Sequence, residues 1–564
     1  MSLLDKASLI VTPNAYKESK LYSVVPSSGA GDMNVVRATT ATRVNSLGLI
    51  EVVPRNLALY SEDFTNVIWP KLECSITSNS TNSPTGTLTA DSLIENSANG
   101  RHMIYRSFAS VVGTTYTLSL FCKQGTRRYI NINFKTSTTA SPRFSALFDL
   151  QTGTNVSTSS VGSPTGTSFG IVSLSDGWYR INISMNSTTT STEYEIAPSN
   201  SATPTLSEGT PTYLGNGTGS VFIWGAQLEE GTTATEYFPT TTRLNIPRID
   251  YTNGSCPSLL VEPQRTNLYF PSIPSNGANG TYTLNDAISP DGTQNASSFV
   301  PSGNGLVYSN AIITTVQTYT FSVYLKGTVN GQKVGLGDNV NILNNFTITT
   351  SWQRYTFTFT GSIQVTPFYL LSGNYFSPAE NNKFYIYGAQ LEVGSYATSL
   401  IPTQASSVTR NADVISKTGI SSLIGQTEGT VFVDINVDLS YTQTDMRFIN
   451  VSDGTSTNWW FIGTNVSNQI RFYYKTGATT YVSQLITLTS GRHKLAFAYK
   501  SNDYVAYVDG TQVHSLTSLI VGATSQVDLG NNFAGSGVSK QFINSAQLYK
   551  TRLTNAEIAS LTTL

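Results

Sequence analysis

Six residues near the end of the chain have the types and spacing that sugar recognition asks for. They are Trp459 and Trp460 in STNWWFIG, Tyr473 and Tyr474 in RFYYK, and the polar pair Asn531 and Asn532. Aromatic faces cover the C–H surface of a sugar ring, and amides bond its hydroxyls. Adjacent residues on a strand point to opposite faces, so one aromatic of each pair is expected in a core and the other outside. Other chemistry finds little support. His102, His493 and His514 are scattered, lie in no helical metal-binding spacing and beside no nucleophile motif, and are read as surface or turn residues. Cys74, Cys122 and Cys256 are far apart and odd in number, so they suggest neither a disulfide framework nor a zinc site and are read as small buried residues. The sequence names no metal ligand set, and no cofactor is expected. GNGTGS (215–220) lacks the strand-then-helix setting and the lysine of a phosphate loop. A glycosidase needs two carboxylates roughly 5 to 10 Å apart, and no pair is marked here.

The elements that carry these residues are strands, and one strand unit is used twice. GAQLE occurs at 225–229 and at 388–392, inside the longer frames VFIWGAQLEEGTTATEYFPTTT (221–242) and FYIYGAQLEVGSYATSLIPTQA (384–405). Upstream markers recur in the same order: NLALYSEDF against NLYFPSI, YTLSLFCK against YTFSVYLK, and DGWYRINIS against SWQRYTFTF. This predicts two copies of one β-module, with Gln227 and Gln390 on equivalent strands. Glu229 and Glu392 then read as structural acids that hold backbone donors or a nearby Arg. Trp178 and Trp352 read as core markers, with Trp69 and Trp224 also inside. Duplicated non-catalytic modules give reach and multivalency, which favours a surface-binding role.

Composition points to an all-β protein. Aromatics reach 11%, mostly Tyr and Phe, while charged residues are only 12%, too few for a helix-rich chain. A length of 564 residues exceeds one hydrophobic core and implies several domains. The formal net charge of -1 supplies no basic excess for phosphates, so nucleic acid is not an expected partner. Asp5 and Lys6 interrupt the apolar start, and no run approaches the roughly 18 apolar residues of a membrane span. The expectation is a protein folded in a cytoplasm without membrane insertion.

Along the chain, residues 1–56 are weakly periodic and are expected to lack a core of their own, being ordered by a partner or by neighbouring copies. Residues 57–240 and 268–405 read as tandem jelly-roll-like sandwiches, with a connector at 241–267 and a polar linker at 406–428. Tyr116, Leu118, Leu120 and Cys122 line one apolar face of the first. Thr42-Arg43-Val44-Asn45 is echoed by Thr242-Arg243-Leu244-Asn245, and GLIEVVPRN by SLLVEPQRTN. Residues 429–564 open a third sandwich. Asp509-Gly510 between apolar runs predicts a type I′ hairpin. Thr554 and Glu557 predict a capped closing helix, with Leu553 stapled to Ile558.

RATTATRVNSLGLIE, IPRIDYTNGSCPSLLVEPQRTNL and the GAQLE units resemble bacteriophage tail-fibre and head-fibre (spike) proteins with carbohydrate-binding-module-like jelly rolls. GRHKLAFAYKSNDYVAYVDGTQV with RLTNAEIASL resembles a concanavalin A-like (laminin-G-like) domain. The connector split by the first module marks this chain as a version with an inserted or duplicated domain. The resemblance implies a non-enzymatic virion protein, a homotrimer joined to other phage virion proteins through its N-terminus, that binds bacterial surface polysaccharide during host adsorption. A structural head or tail decoration protein and a capsule-polysaccharide depolymerase are the alternatives.

Overall fold

The computed structural model describes residues 2–53, 56–110, 112–136, 141–242, 244–274, 276–311, 316–337, 342–361, 368–439 and 446–564. Arg55 and Arg243 of the connector phrases lie outside the described residues. The chain is nearly all β and forms two compact units, one of residues 54–243 and one of 1–53 with 244–564.

In the first of these, two six-stranded antiparallel sheets pack face to face. Alternation builds the core. Leu118, Leu120 and Cys122 of Thr115–Gln124 meet Ile130, Ile132 and Phe134 of Tyr129–Thr136, with Trp69 beside Tyr194. Trp178 and Trp224 are also buried, but on the other side of their sheet, in a separate cluster with Phe121. Trp178 is thus a core residue as expected, but of this smaller cluster: Lys123 is its register partner, and Lys123 lies on the face opposite Cys122.

The larger unit contains a second sandwich with the same strand order around GAQLE. Ser220–Glu230 lies between Thr115–Gln124 and Leu88–Glu95, with Trp178–Asn186 beyond; Phe384–Val393 lies between Thr318–Gly327 and Ala296–Ala311, with Gln353–Thr360 beyond. Registers match as well. Ser119 faces Gln227 and Thr117 faces Glu229, as Ser322 faces Gln390 and Thr320 faces Glu392, and a bulge follows at the same place in both. Each motif residue has one structural task done twice. Gln227 Oε1 accepts from Phe238 N (2.8 Å) and Gln390 Oε1 from Ile401 N (2.6 Å). Glu229 accepts from Thr235 N (2.8 Å) and Glu392 from Thr398 N (2.9 Å), each with the same threonine's hydroxyl. Asn56 Oδ1 caps Leu228 N, and Asn267 Oδ1 caps Leu391 N. Trp352 departs from expectation: it is half-buried outside the sandwich core, its Nε1–H donating to Ile288 O (3.0 Å).

The C-terminal sandwich is one long sheet rolled on itself, and it takes strands from the start of the chain. Ala7–Lys17 pairs with Gln541–Tyr549, Lys20–Val25 follows it, and Met33–Val36 pairs with Val414–Thr418. Leu9, Val11, Leu21, Met33 and Val35 enter the same core as Trp460, Phe497 and Leu548. The N-terminal residues are extended and have no core of their own, but what orders them is the last domain of the same chain. The connector and linker are likewise built in: Ser258–Val261 pairs with Gln541–Tyr549, and Val408–Arg410 with Arg265–Asn267. Asp503–Val508 and Thr511–Leu516 form the expected hairpin, with positive φ at Asp509 and Gly510. Thr554 and Glu557 form the capping box of Asn555–Thr562, and Leu553 packs with Ile558.

The connector phrases supply a buried ionic knot. Arg37 Nη1 meets Asp413 Oδ1 at 2.7 Å, Arg248 Nη1 meets Glu262 Oε2 at 2.7 Å and also reaches Asp413 through Nη2, and Arg410 Nη1 meets Glu262 Oε2 at 2.9 Å. Ser399 N–H donates to Glu262 Oε1 (2.8 Å), which ties the end of the second sandwich to this knot.

Candidate glycan-binding face

Strands Arg447–Ser452, Asn458–Thr464, Ile470–Thr476 and Gln526–Leu529 lie side by side in the C-terminal sandwich. Alternation divides the aromatic candidates as expected: Trp460 and Tyr474 point inwards and are 0% exposed, while Trp459 and Tyr473 are half-buried on the outer face. Trp460 and Tyr474 are therefore withdrawn as sugar-contacting residues, because a ring enclosed by protein on every side has no face to offer. Asn531 is withdrawn for the same reason. It is buried, its Oδ1 accepts from Ile415 N (3.0 Å) and its Nδ2 donates to Asn532 O (3.0 Å). Asn532 spends its side chain on its own loop, Oδ1 accepting from Ala534 N (3.0 Å) and Ser536 N (3.1 Å).

On the outer face Trp459 and Tyr473 have company that the sequence reading did not name. Phe461 stacks on Tyr473 at 4.8 Å with planes 19° apart, Trp459 lies 5.2 Å from Phe461 and 5.4 Å from Tyr473, and Phe533 meets Trp459 edge-on at 5.4 Å. Two guanidiniums cover the cluster: Arg447 Cζ sits 3.9 Å from the Phe461 centroid and Arg471 Cζ 4.8 Å from that of Tyr473. Such contacts hold planar cations against ring faces: Arg447 is itself buried, its Nη1 donating to Met446 O (2.9 Å), and Arg471 is steadied by Ser483 Oγ, to which Nε (3.2 Å) and Nη2 (3.1 Å) donate. The signal was present in the sequence. Trp459 and Phe461, and Arg471 and Tyr473, stand two apart on neighbouring strands, so each pair shares a face.

A polar relay underlies the rings. Trp459 Nε1–H donates to Asn450 Oδ1, Asn450 Nδ2 donates to Asp528 Oδ2 (2.7 Å), and Gln526 Nε2 donates to Asp528 Oδ1 (2.8 Å) and to Phe533 O (3.1 Å). Burial pushes the Asp528 carboxyl up to about 7, against the hydrogen bonds from Gln526 and Asn450. Its immediate partners are amides, not a second carboxylate, so the arrangement is one of positioning. The three histidines and three cysteines stand elsewhere. His102 is buried, its ring nitrogens at 2.7 Å from Glu73 O and 3.2 Å from Tyr213 O, and His493 is buried against Asp509 (2.7 Å), which corrects their reading as surface residues. Cys122 is buried and Cys74 half-buried, but Cys256 is exposed, contrary to expectation. Among the described residues no group of three His, Cys, Asp or Glu side chains could hold a metal ion.

Residues 421–559 match the Laminin_G_3 family, of the concanavalin A-like lectin/glucanases superfamily. This region is a concanavalin A-like domain; the N-terminal strands that complete its sheet fall outside the match. Among solved structures the chain is similar to Ruminococcus gnavus IT-sialidase CBM40, at 13% identity over 25% of this chain and 86% of that one, with a TM-score of 0.22. It is also similar to domain 4 of AbnA, a GH43 extracellular arabinanase from Geobacillus stearothermophilus, in complex with arabinotriose, at 12% identity over 30% and 84% of the two chains, with a TM-score of 0.23. No curated protein matches the chain.

Proposed function

We propose that this chain is a non-enzymatic, glycan-binding protein of a bacteriophage particle, a fibre or spike that meets bacterial surface polysaccharide through the outer face of its concanavalin A-like domain. The observation that carries the binding part is the joint placement of the half-buried rings of Trp459 and Tyr473 beside Arg471, backed by the buried Phe461 and Arg447 and standing above a buried amide–carboxyl relay. The half-buried rings of Trp459 and Tyr473 give apolar faces for sugar C–H groups, and the guanidinium of Arg471 beside Tyr473 gives a donor for hydroxyl or carboxylate oxygens. The virion part is supported by the connector phrases, which resemble those of phage fibres. In a trimer, weak sites on each copy would add by multivalency. Attachment to other virion proteins then uses folded surface, since residues 7–36 are strands of the sandwich and not a free arm.

An array of bacterial surface polysaccharides probed with the full chain tests the reading. Binding by wild type, lost in Trp459→Ala with Tyr473→Ala while the fold is kept, supports it. Absence of binding to every polysaccharide favours a structural decoration protein, and shortening of a capsular polymer on incubation favours a depolymerase.

A further inference from the structure

The first sandwich carries a groove of about 360 Å³ on the side of a sheet that faces away from its core. Strand alternation sets the floor. Ile130, Ile132 and Phe134 go inwards, so Asn131 and Asn133 face out, opposite Leu147 and Ser145 of Arg143–Asp149, which in turn face Ser157 and Ser159. Residues 202–206 form a wall, ending at Leu206. Asn133 Nδ2 donates to Glu208 O (2.9 Å) and to Glu195 Oε2 (2.9 Å), which holds the stretch after that wall down on the sheet.

Asn131 is 2% exposed and lines this groove, yet its Oδ1 has no hydrogen-bond partner among the described residues. A buried amide oxygen without a donor is unfavourable, so a ligand that brings a hydroxyl or N–H there removes a penalty already present in the free protein. The lining otherwise alternates serine and threonine hydroxyls with Leu147, Leu206 and other aliphatic groups, and it contains no charged side chain. The charges of the same face, Lys135 with Glu193 and Glu195, stand further along and are paired with one another. A ligand matched to this surface is uncharged, rich in hydroxyls and patched with C–H groups. The second sandwich lacks the device: Val334 and Leu336 of the corresponding strand, Gln332–Gly337, go to the core, and the outward positions between and after them are Gly335 and Gly337.

We propose that this groove is a binding subsite for a neutral glycan, with Asn131 Oδ1 accepting from a sugar hydroxyl, independent of the aromatic face of the concanavalin A-like domain. Affinity electrophoresis of the full chain through gels containing dextran, yeast mannan, galactan or barley β-glucan, with polygalacturonate as the acidic comparison, tests it. At least one neutral polymer should retard the wild type, and Asn131→Leu should weaken that retardation at least tenfold with Tm unchanged or raised. Ser157→Tyr, which fills the groove from an exposed position, should do the same and decides the matter if Asn131→Leu fails to fold. Trp459→Ala should leave this retardation in place. The proposal is overturned if no neutral polymer retards the protein, if only polygalacturonate does, if the groove variants migrate as wild type, or if Trp459→Ala alone removes all retardation.

Discussion

Trp460 lies flat on Tyr474, ring centroids 4.6 Å apart and planes within 9°, inside the C-terminal sandwich, while their neighbours Trp459 and Tyr473 meet 5.4 Å apart on its outer face. One dipeptide on each of two paired strands therefore serves two purposes, and the period of the strand separates them.

The separation predicts opposite phenotypes for neighbouring substitutions. Trp460→Ala empties a fully buried site and should cost about 3–5 kcal/mol of stability, read by urea denaturation. Trp459→Ala removes a half-buried ring and should lower glycan affinity at least tenfold with a much smaller change in the denaturation midpoint. Equal destabilisation by both would mean that the outer ring is only packing.

The ionic knot predicts an acid limb. Burial pushes Glu262 upward, yet Arg410 and Arg248 outweigh it and hold its carboxyl below the usual range; Asp413 is likewise lowered, by Arg248, Arg37 and Arg410 against burial. A carboxylate whose folded-state pKa is depressed contributes stability above its unfolded value, near 4, and loses that contribution as pH falls below it. Wild type should therefore lose Tm steeply below about pH 4. Glu262→Gln leaves Arg248 and Arg410 short of a buried partner and should cost about 3–5 kcal/mol at neutral pH, with a flatter acid limb. An unchanged acid limb in this variant would place the acid sensitivity elsewhere.

The N-terminal strands predict that the concanavalin A-like domain does not stand alone. Leu9, Val11, Leu21, Met33 and Val35 are buried in its core, and each such side chain contributes about 1.5–3 kcal/mol on burial. A fragment of residues 406–564 should show no cooperative thermal transition, and adding residues 1–53 in trans should restore one. A sharp transition in the fragment alone would show that these strands are dispensable.

The sheets were legible where the period was plain. Tyr116 to Cys122 alternate cleanly and line the first core, and the paired GAQLE frames lead to strands of matching register. What escaped is non-local. In residues 1–36 apolar positions such as Leu9, Leu21 and Met33 are too sparse to form a core, and the strands that flank theirs, Gln541–Tyr549 and Val414–Thr418, stand more than 370 positions away. Arg37, Arg248, Glu262, Arg410 and Asp413 read as polar connector residues because each finds its opposite charge only after folding. At the glycan face, Trp459 and Tyr473 were visible as types, but the guanidiniums of Arg447 and Arg471 and the relay through Asn450 depend on which strands become neighbours. Asn531 was misread because a polar residue in a loop looks the same whether it bonds solvent or, as here, the backbone of Ile415.

The relay beneath Trp459 predicts a second pH dependence, opposite in sign to the first. Burial raises Asp528 to about 7 from an ordinary value of 3.8, so the folded state keeps a proton that the unfolded chain has already released. Between those values folding binds a proton, and stability is highest at the lower end and falls as pH rises toward 7. Asp528→Asn keeps the shape and removes the titration, so its Tm should lack that decline while the loss below about pH 4, which belongs to Glu262 and Asp413, remains. Because Asn450 bonds both Asp528 and the Trp459 indole, ionisation of Asp528 should also be felt at the face: glycan affinity of the wild type should change between pH 5 and 8 and that of Asp528→Asn should not. Parallel pH profiles for the two proteins, in Tm and in affinity alike, would show that Asp528 is held ionised across this range and that the relay carries no proton.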